Sequence, residues 1–217
     1  MPRYMIKAMS ENRVWSAKLP ERWDREIAVI LAHGAGQGIS SPFMKFFHEA
    51  LQQRGFLSVQ FNFDYMNSGR KIPDPQPKMQ TLYRQVVEEI ADVHRPARII
   101  IGGKSMGGRV ASYIAGDTSQ VSGLVFLGYP LHPPGKQDQR RDAHLYDINM
   151  PMLFLSGTRD TFADRTLLQS VADRLGKRAT LVWTEGGDHS LKAGKSGPST
   201  LEAAADTIEG WAREKVK

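Results

Sequence analysis

The chain contains no cysteine. That excludes disulfides, thiolate-held metals and a cysteine nucleophile. No apolar run approaches the roughly 20 residues that span a bilayer. The N-terminal Met1-Pro2-Arg3-Tyr4-Met5-Ile6-Lys7 carries charge without the apolar stretch of a secretory signal. No repeat, low-complexity block or linker divides the 217 residues, a length that suits one domain over 1–217 with a sizeable core. Long basic runs are missing too. The net charge is +6, yet Lys and Arg alternate with Asp and Glu, and purely basic runs stop at a pair, Arg70-Lys71 or Arg140-Arg141. Charge scattered in this way is a solvated surface rather than a nucleic-acid footprint. The expectation is a cytoplasmic protein with no nucleic-acid and no membrane partner, its oligomeric state left open.

What is present is an alternation. Continuous apolar, β-branched runs predict strands at 27–32, 57–61, 98–102, 123–127, 152–156 and 179–183. Amphipathic segments predict helices at 42–54, 78–93, 106–115, 165–175 and 199–215. Runs that are apolar throughout suit strands buried on both faces of a parallel sheet. Strict alternation with helices implies right-handed βαβ units, hence an α/β fold with helices on both faces. One or two edge strands are expected within 5–19. Two stretches, 64–77 and 129–147, are rich in Pro, Gly and charge and read as long loops. Neither has room for a large cap domain, so a site beneath them should be open.

One turn carries the chemistry. Gly102-Gly103-Lys104-Ser105-Met106-Gly107-Gly108 follows the strand at 98–102 and opens the helix at 106–115. A strand, a Gly-x-Ser-x-Gly turn and a helix form the context of a nucleophile elbow, where strand and helix pass too close for anything larger than glycine. A serine hydroxyl is a weak nucleophile without an adjacent base. Of the six histidines, His189 follows the last predicted strand in Glu185-Gly186-Gly187-Asp188-His189-Ser190. His48 and His94 fall in helices, His132 and His144 in the second long loop, and His33 reads as a loop brace. The acid that orients the base is expected at Asp160, after the strand at 152–156, with Asp164 as its rival. The order Ser105, Asp160, His189 is that of the α/β hydrolases. An oxyanion needs two backbone N–H donors. Met106 and Ala35 are the expected pair, with Gly36 next. Gly34, Gly36, Tyr65, Lys104 and Tyr129 flank these groups and are the expected substrate contacts. This chemistry requires no metal and no organic cofactor.

Two phosphate-binding readings fail. A P-loop ending at Gly103-Lys104-Ser105 needs a glycine where Arg98 stands. A dinucleotide fingerprint starting at Gly34-Ala35-Gly36 meets Ile39 at its third glycine. Arg70, Lys104, Arg109, Lys136, Arg140 and Arg159 fall near the site loops. They are expected either to favour an anionic substrate or to serve as surface charge.

The chain resembles the small α/β-hydrolase-like family that includes the testis-expressed protein 30 and a subunit of the nonspecific-lethal chromatin complex. The resemblance rests on Leu31-Ala32-His33-Gly34-Ala35-Gly36, Phe63-Asp64-Tyr65-Met66 with Gly69-Arg70 and Pro73-Asp74, Gly102 to Arg109, Leu127 to Lys136, Gly157-Thr158-Arg159-Asp160 and Gly186 to Lys192. It implies an α/β-hydrolase fold without a large cap and the triad Ser105, Asp160 and His189. A more distant similarity to dienelactone hydrolases lacks their cysteine nucleophile. Two functions follow as expectations. One is a serine hydrolase of small acyl substrates, carboxylesterase in type. The other is a scaffold with an idle triad that binds a protein partner, suggested by the distinctive 129–136 loop.

Overall fold

The computed structural model describes residues 15–194 and 197–217. Seven strands form one sheet: β1 (Trp15–Lys18), β2 (Ile27–Ala32), β3 (Leu57–Phe61), β4 (Arg98–Lys104), β5 (Val121–Leu127), β6 (Met152–Gly157) and β7 (Ala179–Thr184). Their order across the sheet is β1-β3-β2-β4-β5-β6-β7. All neighbours run parallel except β1, which pairs antiparallel with β3 at one edge. Of the stretch at 5–19, residues 5–14 lie outside the described residues, and the remainder holds β1.

The helices are α1 (Pro42–Gln53), α2 (Asp64–Asn67), α3 (Gln76–His94), α4 (Met106–Ile114), α5 (Arg165–Leu175) and α6 (Gly197–Lys215). Side chains on a strand alternate between faces, so the apolar runs feed two cores. On one face Ile30, Phe61, Ile101 and Phe126 pack with Tyr83 and Val86 of α3, Val110 of α4 and Leu168 of α5. On the other, Val29, Leu31, Ile100, Val125 and Leu153 pack with Phe43 and Phe47 of α1 and Ile208 and Trp211 of α6. Burial on both faces explains why β2 reads as an unbroken apolar run, while β3 also buries Ser58 and Gln60, which bond to His48 and to Met44 O.

The structure corrects the expected elements in three places. The 64–77 segment contains the short helix α2 and the start of α3, because Asp74 accepts the Tyr65 N–H (3.0 Å) and orders the turn. The 129–147 segment closes on a 3₁₀ turn, Ala143–Asp147. β4 extends through Lys104, which pairs in register with Leu127. The ladder to β5 therefore carries the backbone to the residue before Ser105.

The topology also sets where a ligand can sit. β3 lies on one side of β2 and β4 on the other, so the connections leaving β2 and β4 diverge to opposite faces. A crevice at the carboxyl ends of the strands is the result. No cap domain covers that edge among the described residues. No helix among them is long and apolar enough to cross a membrane.

Candidate active site

Ser105 stands between β4 and α4 with φ 50° and ψ −113°. A non-glycine residue held there costs on the order of 1–3 kcal/mol, and it persists only where its surroundings impose it. They do so here. The Ser105 N–H donates to Leu127 O (3.1 Å), and the Arg109 N–H donates to Ser105 O (3.1 Å). A Cβ on Gly103 would lie 2.1 Å from the Ala32 carbonyl oxygen, and one on Gly107 would lie 2.3 Å from it. The close pass of β4 and α4 over β2 therefore requires glycine on either side of Ser105.

The loops after β6 and β7 are joined to each other. The Thr158 N–H donates to Thr184 O, the Arg159 N–H to Gly187 O (2.9 Å), and the Gly186 N–H to Thr158 Oγ1 (2.8 Å). This pairing brings Asp160 and His189 together. His189 Nδ1 lies 2.9 and 2.8 Å from the two Asp160 carboxylate oxygens. A carboxylate accepts only, so Nδ1 carries the hydrogen and Nε2 is left as an acceptor. Nε2 is 2.8 Å from Ser105 Oγ. The Asp160 side chain is fully buried, and its Oδ1 also accepts the Phe162 N–H (2.8 Å). The Phe162 ring lies 4.3 Å from the imidazole.

A cavity of about 320 Å³ opens beside Ser105. Its lining comes from the loop after β2 (Ala35), the 73–79 segment, the start of α4 (Met106 and Arg109) and the loops after β5 and β6 (Pro130, Arg141 and Phe162). Met106 is the first residue of α4, so its N–H has no acceptor within the helix. The Gly36 N–H is already donated to Tyr65 Oη (3.3 Å). Of the two candidate donors on the loop after β2, only Ala35 lines the cavity.

None of the expected substrate contacts, Gly34, Gly36, Tyr65, Lys104 and Tyr129, is among the residues that line the cavity. Tyr65 is buried between His33 and Phe63. Tyr129 packs on Phe126 and Phe154 and donates its hydroxyl hydrogen to Arg141 O (2.5 Å). Burial pushes both phenols above their ordinary pKa. Lys104 turns away from the cavity: Nζ donates to the His189 carbonyl and lies 5.4 Å from the centre of the Phe43 ring. Burial lowers its pKa to about 8, against the attraction of Asp160 and Asp188. Gly34 leaves room for that lysine, since a Cβ there would be 3.2 Å from Lys104 Cγ. The Gly34 to Gly36 turn thus frames the site through its backbone. Lys104 holds the backbone of the residue that supplies the imidazole.

The competing histidines and acid have structural partners. Buried His33 donates from Nδ1 to Gly34 O (2.7 Å) and accepts the Phe63 N–H at Nε2 (3.1 Å), bracing the loop after β2. His132 accepts the Asp164 N–H (2.9 Å), and His144 stacks on Tyr113 with centroids 3.9 Å apart. Asp164 caps α5 by accepting the Leu167 N–H (3.0 Å). Pro73 and Asp74 belong to a motif of the resemblance, whereas Phe162, Met79 and Arg141 are cavity groups that no local motif announces. Arg109 has a signal, because four residues after Ser105 on a helix means the same face. Among the described residues, no three His, Asp or Glu side chains gather as a metal site would require.

Fold and strand-end crevice together define an α/β hydrolase. The sequence pattern of the family described as "Alpha/beta hydrolase domain" matches residues 25–215, and the chain belongs to that family. Solved structures share the architecture at low identity. An alpha-beta serine hydrolase homologue from Coxiella burnetii is 16% identical over 90% of this chain and 89% of its own, with a TM-score of 0.72. A serine hydrolase without a lid from Xanthomonas campestris is 19% identical over 92% and 87%, with a TM-score of 0.72. Dienelactone hydrolase from Anabaena variabilis is 18% identical over 94% and 92%, with a TM-score of 0.71.

Proposed function

We propose that this protein is a serine hydrolase of ester or related acyl substrates, built as one domain and of carboxylesterase type. Ser105 Oγ attacks the carbonyl carbon while its proton passes to His189 Nε2. The N–H groups of Met106 and Ala35 receive the oxyanion that develops. His189 then delivers the proton to the leaving alcohol, and the acyl group stays on Ser105. Water attacks the acyl-enzyme, giving one proton to His189, which returns it to Ser105 as the acid departs. Asp160 keeps Nδ1 protonated and stabilises the imidazolium without taking the proton.

The observation that carries this reading is the 2.8 Å approach of His189 Nε2 to Ser105 Oγ at a strained, glycine-flanked turn beside a cavity. The lidless serine hydrolase from Xanthomonas campestris supports it by analogy of fold. Within the family, we place the chain beside the group containing testis-expressed protein 30, on the motifs at 31–36, 102–109 and 186–192.

A fluorophosphonate probe tests the reading. Covalent labelling should map to Ser105, and Ser105→Ala should abolish both labelling and hydrolysis of short acyl esters. An idle scaffold that binds a protein partner would give folded protein with an unlabelled Ser105 and no turnover, and that result would overturn the proposal.

A further inference from the structure

The cationic side chains near the site separate into two kinds. Arg70 is paired with Asp74 (2.6 Å) and Arg140 with Asp142 (2.5 Å). Lys104 is committed to the His189 carbonyl. Lys136 and Arg159 are exposed outside the cavity lining. Arg109 and Arg141 differ from all of these. Both line the cavity beside Ser105, and neither forms an ion pair among the described residues. Arg109 Nε is buried with no hydrogen-bond acceptor among them. Arg141 makes one long contact to Pro130 O (3.4 Å). Burial and then repulsion by Arg109 hold the Arg141 guanidinium below its ordinary pKa.

A buried N–H without an acceptor carries a desolvation cost, and two like charges sharing a cavity add to it. A guanidinium presents its donors as a planar fork that matches a carboxylate. The cavity's own carboxylate, Asp74, does not fill that role. It is held by Arg70, by Lys78 (3.6 Å) and by the Tyr65 N–H. Its pKa is lowered, chiefly through the Arg70 hydrogen bond, so it stays charged and internally compensated. Of the other groups near Arg109, His144 is pushed down to about 4 by burial and then by Arg109, so it adds no positive charge near neutral pH. The phenol of Tyr129, raised by burial, stays neutral.

We infer that the substrate carries a carboxylate on the part seated in this cavity, received by Arg109 and Arg141. The class is the half-ester of a short dicarboxylic acid. This rests on the hydrolase reading above and names its substrate.

The test compares 4-nitrophenyl hydrogen glutarate with 4-nitrophenyl methyl glutarate and 4-nitrophenyl pentanoate. The charged ester should show a kcat/KM about tenfold or more above the neutral ones, the scale of one charge-assisted hydrogen bond. That ratio should fall with salt and collapse toward one in Arg109→Gln and Arg141→Gln. Arg109→Lys should restore part of it. Lys177→Gln, remote from the cavity, should leave the ratio as it is. Calorimetric binding of glutarate to the Ser105→Ala protein tests the inference without turnover. Binding lost on adding Arg109→Gln upholds it even where no ester is cleaved, a result that would sink the hydrolase reading alone. Equal kcat/KM for all three esters together with no glutarate binding overturns the inference and leaves the hydrolase reading standing.

Discussion

Two aspartates, four positions apart, do different work because of what their oxygens meet. Asp160 points into the protein, fully buried, with both carboxylate oxygens on His189 Nδ1. Asp164 points at the start of α5 and accepts the Leu167 N–H. Replacing the carboxylate of Asp160 by an amide keeps the shape but offers Nδ1 an N–H donor, which favours the wrong tautomer. Asp160→Asn should therefore lower kcat by about 10⁴-fold while the urea midpoint moves little. Retained activity in a folded Asp160→Asn protein would remove Asp160 from the mechanism. At this scale the sequence was legible where a residue's role is written in local geometry. Gly103 and Gly107 announce a close backbone pass, and Ser105 sits between them. It was not legible where a role depends on which way a side chain turns. Tyr65, Tyr129 and Lys104 lie on the expected loops, yet each is spent on the scaffold.

Elements show how the site is held. α5 is capped by Asp164 before its first residue and by Gly176, with φ 60°, after its last. A cap of this kind stabilises by about 1 kcal/mol. Asp164→Ala should lower the unfolding free energy by that amount, read as a lower urea midpoint at an unchanged m-value, and leave kcat/KM within about a factor of two. A loss of activity as large as that of Asp160→Asn would reassign the acid. The opposite contrast, stability without activity, belongs to Asp160. The loops after β6 and β7 form a second unit. Hydrogen bonds among Thr158, Thr184, Arg159, Gly186 and Gly187 join strands that are neighbours in the sheet but about 30 residues apart in the chain. Element types and approximate limits follow from periodicity, which the sequence carries directly. Extension of β4 to Lys104 does not, because it requires Leu127 of β5 as a ladder partner.

Across the whole molecule, buried imidazoles tie stability to pH. His48 sits on the buried face of α1, with Nδ1 2.8 Å from Ser58 Oγ and Nε2 3.3 Å from Ser16 Oγ. Burial, then repulsion from Lys18, lowers its pKa from 6.5 to about 4, against the pull of Glu49. The unfolded chain takes up this proton near 6.5 and the folded one only near 4. In that window the unfolded state binds more protons, so stability falls as pH drops from about 6.5 to about 4. His48 contributes a loss on the order of 3 kcal/mol. Urea midpoints measured at about pH 7 and about pH 4.5 should differ less in His48→Gln than in the wild type. Equal differences in the two proteins would refute this assignment. His33 and His144 are also lowered by burial and act in the same direction.

By itself the sequence determined the order and type of the elements, the strand-turn-helix around Ser105, and the chain order of Ser105, Asp160 and His189. Those features are local: periodicity, glycine where backbones nearly touch, and side chains placed at strand ends. Tertiary structure decided which groups face one another. It turned Lys104 onto the His189 carbonyl and gave the Gly36 N–H to Tyr65. It left Arg109 and Arg141 together in the cavity without a carboxylate partner among the described residues. Such outcomes depend on contacts between residues tens of positions apart. They follow from how two hydrophobic faces of one sheet pack, and no local pattern records that.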